Sequence, residues 1–196
     1  MTAGTALDAE TILAATEEVL RRYGPAKATV VDVARALGVS HAAVYRHFPS
    51  KAALREAVTR RWADRAYAGL AAVAADTTLA PPERLRAWLA ALFAAKRSKA
   101  FDDPELFATY KVLVGEHSEV IADHVAGQVR QLADIVADGI ATGDFTAPDP
   151  DAAAQTVFEA TIAFHHPAHA GGWREEGIED RLAAVCALVL DGLRAR

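Results

Sequence analysis

Apolar positions recur at helical spacing along nearly the whole chain, and no segment shows the strict alternation that is typical of a β-strand. The first helix is predicted from Asp8 to Tyr23, where apolar residues fall on one face. Asp8 is suited to cap its start, and Gly24 with Pro25 is suited to end it. The pattern therefore predicts an all-α protein.

The segment from Thr29 to Lys51 predicts two short helices around a glycine turn. Gly38 falls where a helix needs a residue with positive φ, and Ser40 suits the N-cap of a second helix that begins at about His41. Val44 and Phe48 lie four residues apart, so they share the face that packs inward. Other positions of this helix then face outward, where they can enter a major groove: His41, Ala42, Tyr45 and Arg46.

Six further helices account for the rest of the chain, which gives about nine in all. The one that starts at Lys51 is expected to join two domains, and the boundary between the sixth and seventh helices of the chain, at about residues 115–118, is weakly marked. Their predicted limits are 51–75, 82–99, 104–117, 119–142, 152–166 and 179–194.

Several side chains of the first domain have the chemistry to contact DNA. Thr29 and Ser40 stand at helix starts, where hydroxyl and backbone N–H groups can bind phosphates. We expect the base sequence to be read by four residues, because an alanine methyl can contact thymine and an arginine can reach a guanine edge or a phosphate: His41, Ala42, Ala43 and Arg46. Such an alanine-rich face predicts a small direct code and a strong dependence on phosphates and DNA shape.

The sequence GVSHAAVYRHFPSK, preceded by TVVDVARAL, resembles the DNA-binding domain of the tetracycline-repressor (TetR) family of bacterial regulators. The resemblance covers about Ala9 to Val58 and rests on these positions: Thr29, Ala34, Gly38, Val39, Ser40, Tyr45, His47, Phe48 and Lys51. It implies that Tyr45 touches the DNA backbone, with His47 following it, and that Lys51 binds a phosphate. For Tyr45, the alternative is a buried ring with only its hydroxyl at the surface.

The resemblance also implies a DNA-binding domain at 1–50 and an effector-binding and dimerisation domain at 51–196. In such a regulator, most often a repressor, a small molecule in a helical cavity changes the separation of the two DNA-binding domains of a dimer. The beginning and end of the chain differ in charge accordingly: residues 1–66 carry ten basic and seven acidic side chains, and residues 67–196 carry eleven and nineteen. A basic DNA-binding end on an acidic body keeps the body off the duplex, although scattered surface charge is the alternative.

A single DNA-binding domain covers too little DNA to find one site in a genome, so we expect a homodimer. The last two helices provide an interface, a four-helix bundle across a two-fold axis; the alternative is that both helices are buried core. Its expected members are Val157, Phe158, Thr161, Ile162, Leu182, Val185, Leu188, Val189 and Leu193. A two-fold dimer predicts a palindromic operator.

The effector cannot be named from the sequence, but a small, largely apolar molecule with one or two polar groups fits the residues available. Candidate lining residues occur at helical spacing, which is also typical of ordinary core: Trp88, Leu92, Phe93, Phe107, Tyr110, Leu113, Val114, His117, Ile121 and Phe164. We predict no cofactor and no metal. The alternative is a Zn²⁺ or Ni²⁺ site among five histidines: His117, His124, His165, His166 and His169.

Other function classes are disfavoured by what the sequence lacks. It has no nucleophile motif, Gly-rich phosphate loop or HExxH pattern, so an enzyme is not expected. The lone Cys186 excludes an internal disulfide, and the sequence shows neither a signal peptide nor a stretch of about 20 apolar residues, so we expect a cytoplasmic protein. The remaining alternative is an architectural DNA-binding protein or helical adaptor without an effector.

Overall fold

The structure is a computed structural model that describes residues 7–194. Within this range it contains ten α-helices, one 3-10 helix and no strand, which confirms the all-α prediction. The α-helices are α1 (Ala9–Lys27), α2 (Val30–Leu37), α3 (His41–Tyr45), α4 (Lys51–Ala74), α5 (Pro81–Asp102), α6 (Pro104–Gly115), α7 (Glu119–Thr142), α8 (Pro150–Ala160), α9 (Ile162–His165) and α10 (Ile178–Leu193). The 3-10 helix is Pro167–Gly172.

One predicted helix, 152–166, is wrong as a continuous element. It is divided at Thr161, whose backbone is not helical (φ −98°, ψ 11°). The Thr161 hydroxyl is buried and donates to the Val157 carbonyl at 2.9 Å. A threonine hydroxyl that bonds back to the preceding turn competes with the backbone ladder and bends a helix. This division and the 3-10 helix explain why the structure has more helices than the nine predicted.

Helix ends elsewhere follow the local chemistry. Asp8 caps α1 by accepting the Thr11 N–H at 2.7 Å. The helical backbone breaks at Gly24, which has φ 72°, before a last turn from Pro25 to Lys27. His117 has φ 54° in the turn between α6 and α7, so the weakly marked boundary there is a true break. A positive φ is strained for a histidine and stops helix propagation.

The chain forms two compact units. The first contains the described residues of Met1–Arg65 together with Asp102–Ile121. Its core lies among α1, α2, α3, α6 and the first half of α4, and includes Ile12, Leu20, Val33, Val44, Val58, Trp62 and Leu113. The predicted domain boundary at residue 50 divides the chain in sequence order. The first compact unit differs from this prediction because it also contains α6, which lies after that boundary in the sequence.

Buried charge holds the first unit together. Glu17 of α1 is 4% exposed and bonds to Arg65 of α4 at 2.6 Å and to Arg61 at 2.5 Å. Asp103, which precedes α6, accepts bonds from Arg21 at 3.1 Å and from the Trp62 indole N–H at 3.0 Å. Because a buried carboxylate is stable only when it is paired, these contacts fix α1 against α4 and α6.

The second unit contains Ala66–Phe101 and the described residues of Ala122–Arg196. Its core is apolar and includes Leu85, Trp88, Leu92, Leu132, Ile135, Val136, Phe145, Trp173 and Leu190. Phe145 lies directly over Gly139 of α7, and the next N–H, that of Thr146, donates to the Leu193 carbonyl at 2.7 Å. The end of α10 is thereby tied to the loop after α7.

Across residues 7–194, no helix has the length and apolar character that crossing a bilayer would require.

Candidate nucleic-acid interface

Two caps and a glycine build the turn between α2 and α3. Thr29 and Asp32 form a reciprocal capping box at the start of α2, and Gly38 ends that helix with φ 66°. The Val39 N–H then donates to the Ala34 carbonyl at 3.0 Å. Ser40 accepts the Ala43 N–H at 3.3 Å and so starts α3. These contacts confirm the predicted helix-turn-helix, the helix end at Gly38 and the N-cap at Ser40.

The second helix is short but continues as a turn. α3 ends at Tyr45, and the Arg46 and Phe48 N–H groups still donate to the Ala42 and Val44 carbonyls, at 3.2 and 3.0 Å. Val44 is fully buried and Phe48 is half-buried, as the spacing predicted. One further residue faces inward: Ala43 is 7% exposed, so the prediction that it can contact a thymine methyl is corrected.

The opposite side of α3 is open to solvent. Its exposed residues are His41, Ala42, Tyr45, Arg46 and His47. Tyr45 is 42% exposed, which excludes the alternative of a buried ring, and its ring meets the His41 ring edge to face with centres 6.4 Å apart. Three rings, one methyl and one guanidinium are therefore presented on a single surface. We call this surface the α3 outer face.

The charges around this face suit contact with a polyanion. Arg46 and Lys51 are exposed, and no ion pair to either is found within residues 7–194. Arg35 is different, because it pairs with Asp32 at 3.0 Å. Unpaired cations can neutralise phosphates without first breaking an internal bond.

Thr29 is exposed, but its polar groups are already used. Its hydroxyl donates to the Asp32 carboxylate at 2.5 Å, and its N–H donates to the same oxygen at 3.1 Å. The hydroxyl bond is the main cause that lowers the pKa of Asp32, which keeps this carboxylate negative. A phosphate contact through the Thr29 hydroxyl or N–H would therefore break the cap and bring two anions together.

The predicted effector-lining residues are divided between the two units. Phe107, Tyr110, Leu113, Val114, His117 and Ile121 belong to the first unit, and Trp88, Leu92, Phe93 and Phe164 belong to the second. In the first unit the Phe107 and Tyr110 rings stack with centres 6.1 Å apart. In the second, Phe93 meets Phe164 edge to face at 5.9 Å, and the Trp88 indole N–H donates to Gln131 at 2.9 Å.

His117 requires a correction. It is exposed in the left-handed turn after α6, because that turn lies at the surface, and so it does not line a helical interior. The alternative of a histidine metal site also finds no support. The described residues contain no group of three or more His, Cys, Asp or Glu side chains that could hold a metal ion. His165 instead donates through Nε2 to the Phe158 carbonyl at 2.8 Å.

Most of the residues predicted for the dimer interface are buried within the single chain, so the prediction is corrected. Five of its residues belong to the core of the single chain: Val157, Phe158, Thr161, Leu182 and Leu193. Val185 and Val189 are half-buried, because they flank the buried stripe of α10. Leu188 is 74% exposed and Ile162 is 45% exposed. The outward apolar surface is therefore narrower than the periodicity suggested.

Comparison with known protein families identifies both parts of this chain. Residues 12–58 match the model of the bacterial regulatory proteins of the tetR family, and residues 81–186 match the tetracyclin repressor-like C-terminal domain. The chain belongs to the TetR family. It is thus a DNA-binding transcriptional regulator in a family of regulatory proteins rather than enzymes. None of the curated proteins matches this TetR regulator.

Solved structures share the fold of this TetR regulator. A protein of unknown function from a Rhodococcus species is 24% identical, with a TM-score of 0.72 over 100% of both chains. A TetR transcription regulator from Haloarcula marismortui is 21% identical, with a TM-score of 0.67 over 95% of this chain and 97% of that one. A TetR/AcrR family regulator from Thermobifida fusca is 21% identical, with a TM-score of 0.64 over 95% and 98% of the two chains.

Sequence reasoning missed several polar residues inside the second unit. Lys96 is 2% exposed on α5, although a lysine is rarely fully buried. A signal was present, since Lys96 follows Leu85, Leu89 and Leu92 at the helical spacing of the inward face. Tyr67 and Gln128 are also buried, at 7% and 3% exposure, but neither breaks its local pattern as visibly.

Proposed function

We propose that this TetR regulator is a ligand-responsive repressor that binds a palindromic operator as a homodimer. The observation that carries the proposal is the α3 outer face. Val44 holds the helix from beneath at 0% exposure, while Tyr45 and Arg46 stand on the exposed side. A short helix supported in this way can enter the major groove without distorting the unit behind it.

Some residues of this face contact the bases, and others contact the sugar-phosphate backbone. Arg46 can bond to a guanine edge, and Ala42 can contact a thymine methyl, so these two residues supply direct readout together with the exposed His41. Tyr45, His47 and Lys51, with the Ser40 hydroxyl, contact the sugar-phosphate backbone and fix the register. Because only three side chains read bases directly, DNA shape supplies part of the specificity.

Dimerisation supplies the second DNA-binding domain, which contacts the second half-site of the operator. Exposed apolar side chains on the last helices support this step, with Leu188 of α10 at 74% exposure and Ile162 of α9 at 45%. A two-fold pairing through them brings the same surface of two copies together. The operator is then a palindrome with half-sites about one helical turn apart or slightly more.

An effector in the second unit completes the proposal. It lowers operator affinity by favouring a dimer geometry that no longer fits both half-sites. A coupling free energy of about 1 to 3 kcal/mol is typical of such a link. Linkage requires the operator to weaken effector binding by the same factor.

The test is selection of bound duplexes from a random pool by the purified protein at about 0.15 M salt, where non-specific binding is weak. We expect enrichment of one palindromic sequence that survives excess random DNA. A folded protein that enriches nothing, or that random DNA displaces completely, contradicts the proposal and favours an architectural binder or adaptor.

A further inference from the structure

The segment that links α9 to α10 in the second unit is irregular and mostly exposed. It covers residues 166–177 and contains the 3-10 helix. Only Pro167 and Trp173 of these residues are buried, and the others are exposed or half-buried. We call residues 166–177 the strap. Its attachment to the second unit therefore depends on few side chains.

The backbone of the strap bonds mainly to itself. The Trp173 N–H donates to the Ala170 carbonyl at 3.2 Å, and the Glu175 N–H donates to the Gly172 carbonyl at 3.1 Å. Both bonds join residues three apart, as in a 3-10 helix, whose hydrogen bonds have poorer geometry than those of an α-helix. Across residues 7–194, no backbone hydrogen bond joins the strap to any helix other than α9 and α10, which flank it.

Trp173 is the main attachment of the strap. Its side chain is fully buried, and its ring meets the Phe93 ring of α5 edge to face with centres 6.2 Å apart. Its indole N–H donates to the Ala163 carbonyl of α9 at 2.9 Å. In a continuous helix this carbonyl would accept the N–H of residue 167, but Pro167 has none. The Trp173 indole therefore bonds to a carbonyl that has lost its helical donor.

A second attachment lies at the surface. The guanidinium carbon of Arg174 lies 3.8 Å from the centre of the Phe101 ring of α5. Arg174 is exposed, and a contact between a cation and an aromatic ring is weak at an exposed position. Two neighbouring side chains therefore hold the strap on α5, one through burial and the other through its charge.

Glycines give the strap points at which its backbone can bend. Gly171 is exposed, and a Cβ there would meet no atom within 4 Å, so packing does not require a glycine at this position. Gly177 has φ 75° immediately before α10. Because glycine has the widest backbone freedom of any residue, the strap can move at these two positions while α10 stays helical.

We propose that the strap is a gate over the interior of the second unit. It opens as one piece: Trp173 leaves its site, its indole N–H exchanges the Ala163 carbonyl for water, and α5 and α10 stay folded. Opening uncovers the buried Phe93 ring, which packs edge to face on Phe164 with centres 5.9 Å apart. A segment held by few buried apolar contacts opens at a lower free energy than the unit as a whole.

The gate gives a small apolar molecule a route into the second unit. Opening uncovers aromatic surface and one hydrogen-bond acceptor, the Ala163 carbonyl. An apolar molecule with one N–H or O–H donor therefore suits the opened site. The role of the gate as the entrance for the effector rests on the proposed function, whereas its opening does not.

The three tryptophans of the chain allow a direct test of opening. All three are buried and donate their indole N–H to an acceptor: Trp62 to Asp103, Trp88 to Gln131 and Trp173 to Ala163. NMR of the full-length protein measures the exchange of each indole N–H in D₂O, and single Trp→Phe variants assign the signals. We expect the Trp173 N–H to exchange at least about tenfold faster than the other two, at a rate that low urea does not change, because local opening exposes little surface. Equal rates, or an equal urea dependence of all three, would overturn the gate.

Two variants should change this exchange in opposite directions. Gly171→Ala restricts the open strap more than the closed strap, so the Trp173 N–H should exchange roughly two- to fivefold more slowly. Arg174→Ala removes the contact with Phe101 and should speed the exchange by roughly a similar factor. Gly192→Ala adds a methyl group to α10 that would meet no atom within 4 Å, and this control should leave the exchange unchanged. Exchange that neither Gly171→Ala nor Arg174→Ala changes would show that the strap is not the part that moves.

Indole and 1-methylindole test the route into the unit. A molecule that binds only the open form shifts the equilibrium towards it, so indole should speed the exchange of the Trp173 N–H. The effect of 1-methylindole should be smaller, because it has no N–H to donate to the Ala163 carbonyl. No effect of either molecule would overturn the route. A protein that selects a palindrome but exchanges the Trp173 N–H only on unfolding contradicts the gate alone, and a strap that opens in a protein that selects no DNA counts against the proposed function alone.

Discussion

At the scale of single residues, Lys51 is the clearest phosphate contact. It is exposed at the start of α4, and no ion pair to it is found in the described part of the chain. We expect Lys51→Ala to weaken binding to all sequences alike and to reduce the slope of log affinity against log salt by about 1. Fluorescence anisotropy on one duplex at several salt concentrations measures this slope. Lys111→Ala, which removes an exposed lysine of α6, should leave it unchanged, and an equal effect of both variants would contradict the assignment.

His165 gives stability a pH dependence. Its folded pKa, about 4, lies below the ordinary value of 6.5, so the unfolded chain binds more protons between these values. Stability should therefore be complete above pH 6.5 and fall as the pH decreases towards 4. For this residue alone the loss is about 2 kcal/mol at pH 5.

Urea unfolding at pH 7 and pH 5 measures the difference. His165→Gln keeps an N–H donor for the Phe158 carbonyl but does not titrate, so its pH dependence should be smaller by about that amount. His169→Asn changes an exposed histidine and should behave as the parent does. A parent and a His165→Gln variant that lose equal stability would show that this histidine is not held neutral.

At the scale of elements, the packing of α7 depends on one glycine. A Cβ on Gly139 would lie 2.6 Å from Phe145 Cε2 and 2.8 Å from its Cγ, and Phe145 is 2% exposed. Gly139→Ala should therefore destabilise the second unit by about 1 to 3 kcal/mol, as overpacking of a core does.

The same helix provides the control for this change. At Gly127 the nearest atom to an added Cβ is Arg130 Nη2, 3.8 Å away. Gly127→Ala should stabilise α7 by roughly 0.5 to 1 kcal/mol through helix propensity. Thermal unfolding of both variants measures their stability relative to the parent. A Gly139→Ala variant as stable as the parent would mean that the Phe145 ring can move aside to accommodate the added methyl group.

Elements were predictable where a local signal fixes them. Asp8, Gly38 and Ser40 mark helix ends through their own backbone and side-chain bonds, so their roles follow from the sequence. The break at Thr161 depends on a bond to a carbonyl that an unbroken helix would also offer, and no sequence pattern separates the two cases. Ala43 and His117 were misplaced for a related reason: whether an individual residue of a short helix or turn faces inward depends on neighbours distant in sequence. Lys96, Tyr67 and His124 come from three helices, so their proximity could not be predicted from the spacing of any one helix.

At the scale of the whole molecule, the proposed dimer depends on the exposed side of α10. Leu188→Glu places a charge where a two-fold interface would bury leucine from both copies. The loss of two buried leucines is about 3 kcal/mol or more, or roughly a hundredfold in dimer dissociation constant. Sedimentation measures this constant directly. Val112→Glu alters another exposed apolar side chain, 38% exposed on α6, and should not change it. A dimer unaffected by Leu188→Glu would place the interface elsewhere.

Readout of the operator by the α3 outer face can be tested by parallel selections from one random duplex pool. The parent, Arg46→Ala and Arg130→Ala are compared, the last removing an exposed arginine of α7. We expect the parent and Arg130→Ala to select the same palindrome. We expect Arg46→Ala to lose preference at one position of each half-site, worth about 1 to 3 kcal/mol per base. An identical preference from all three proteins would contradict readout by Arg46, and no palindrome from the folded parent would contradict operator binding by this face.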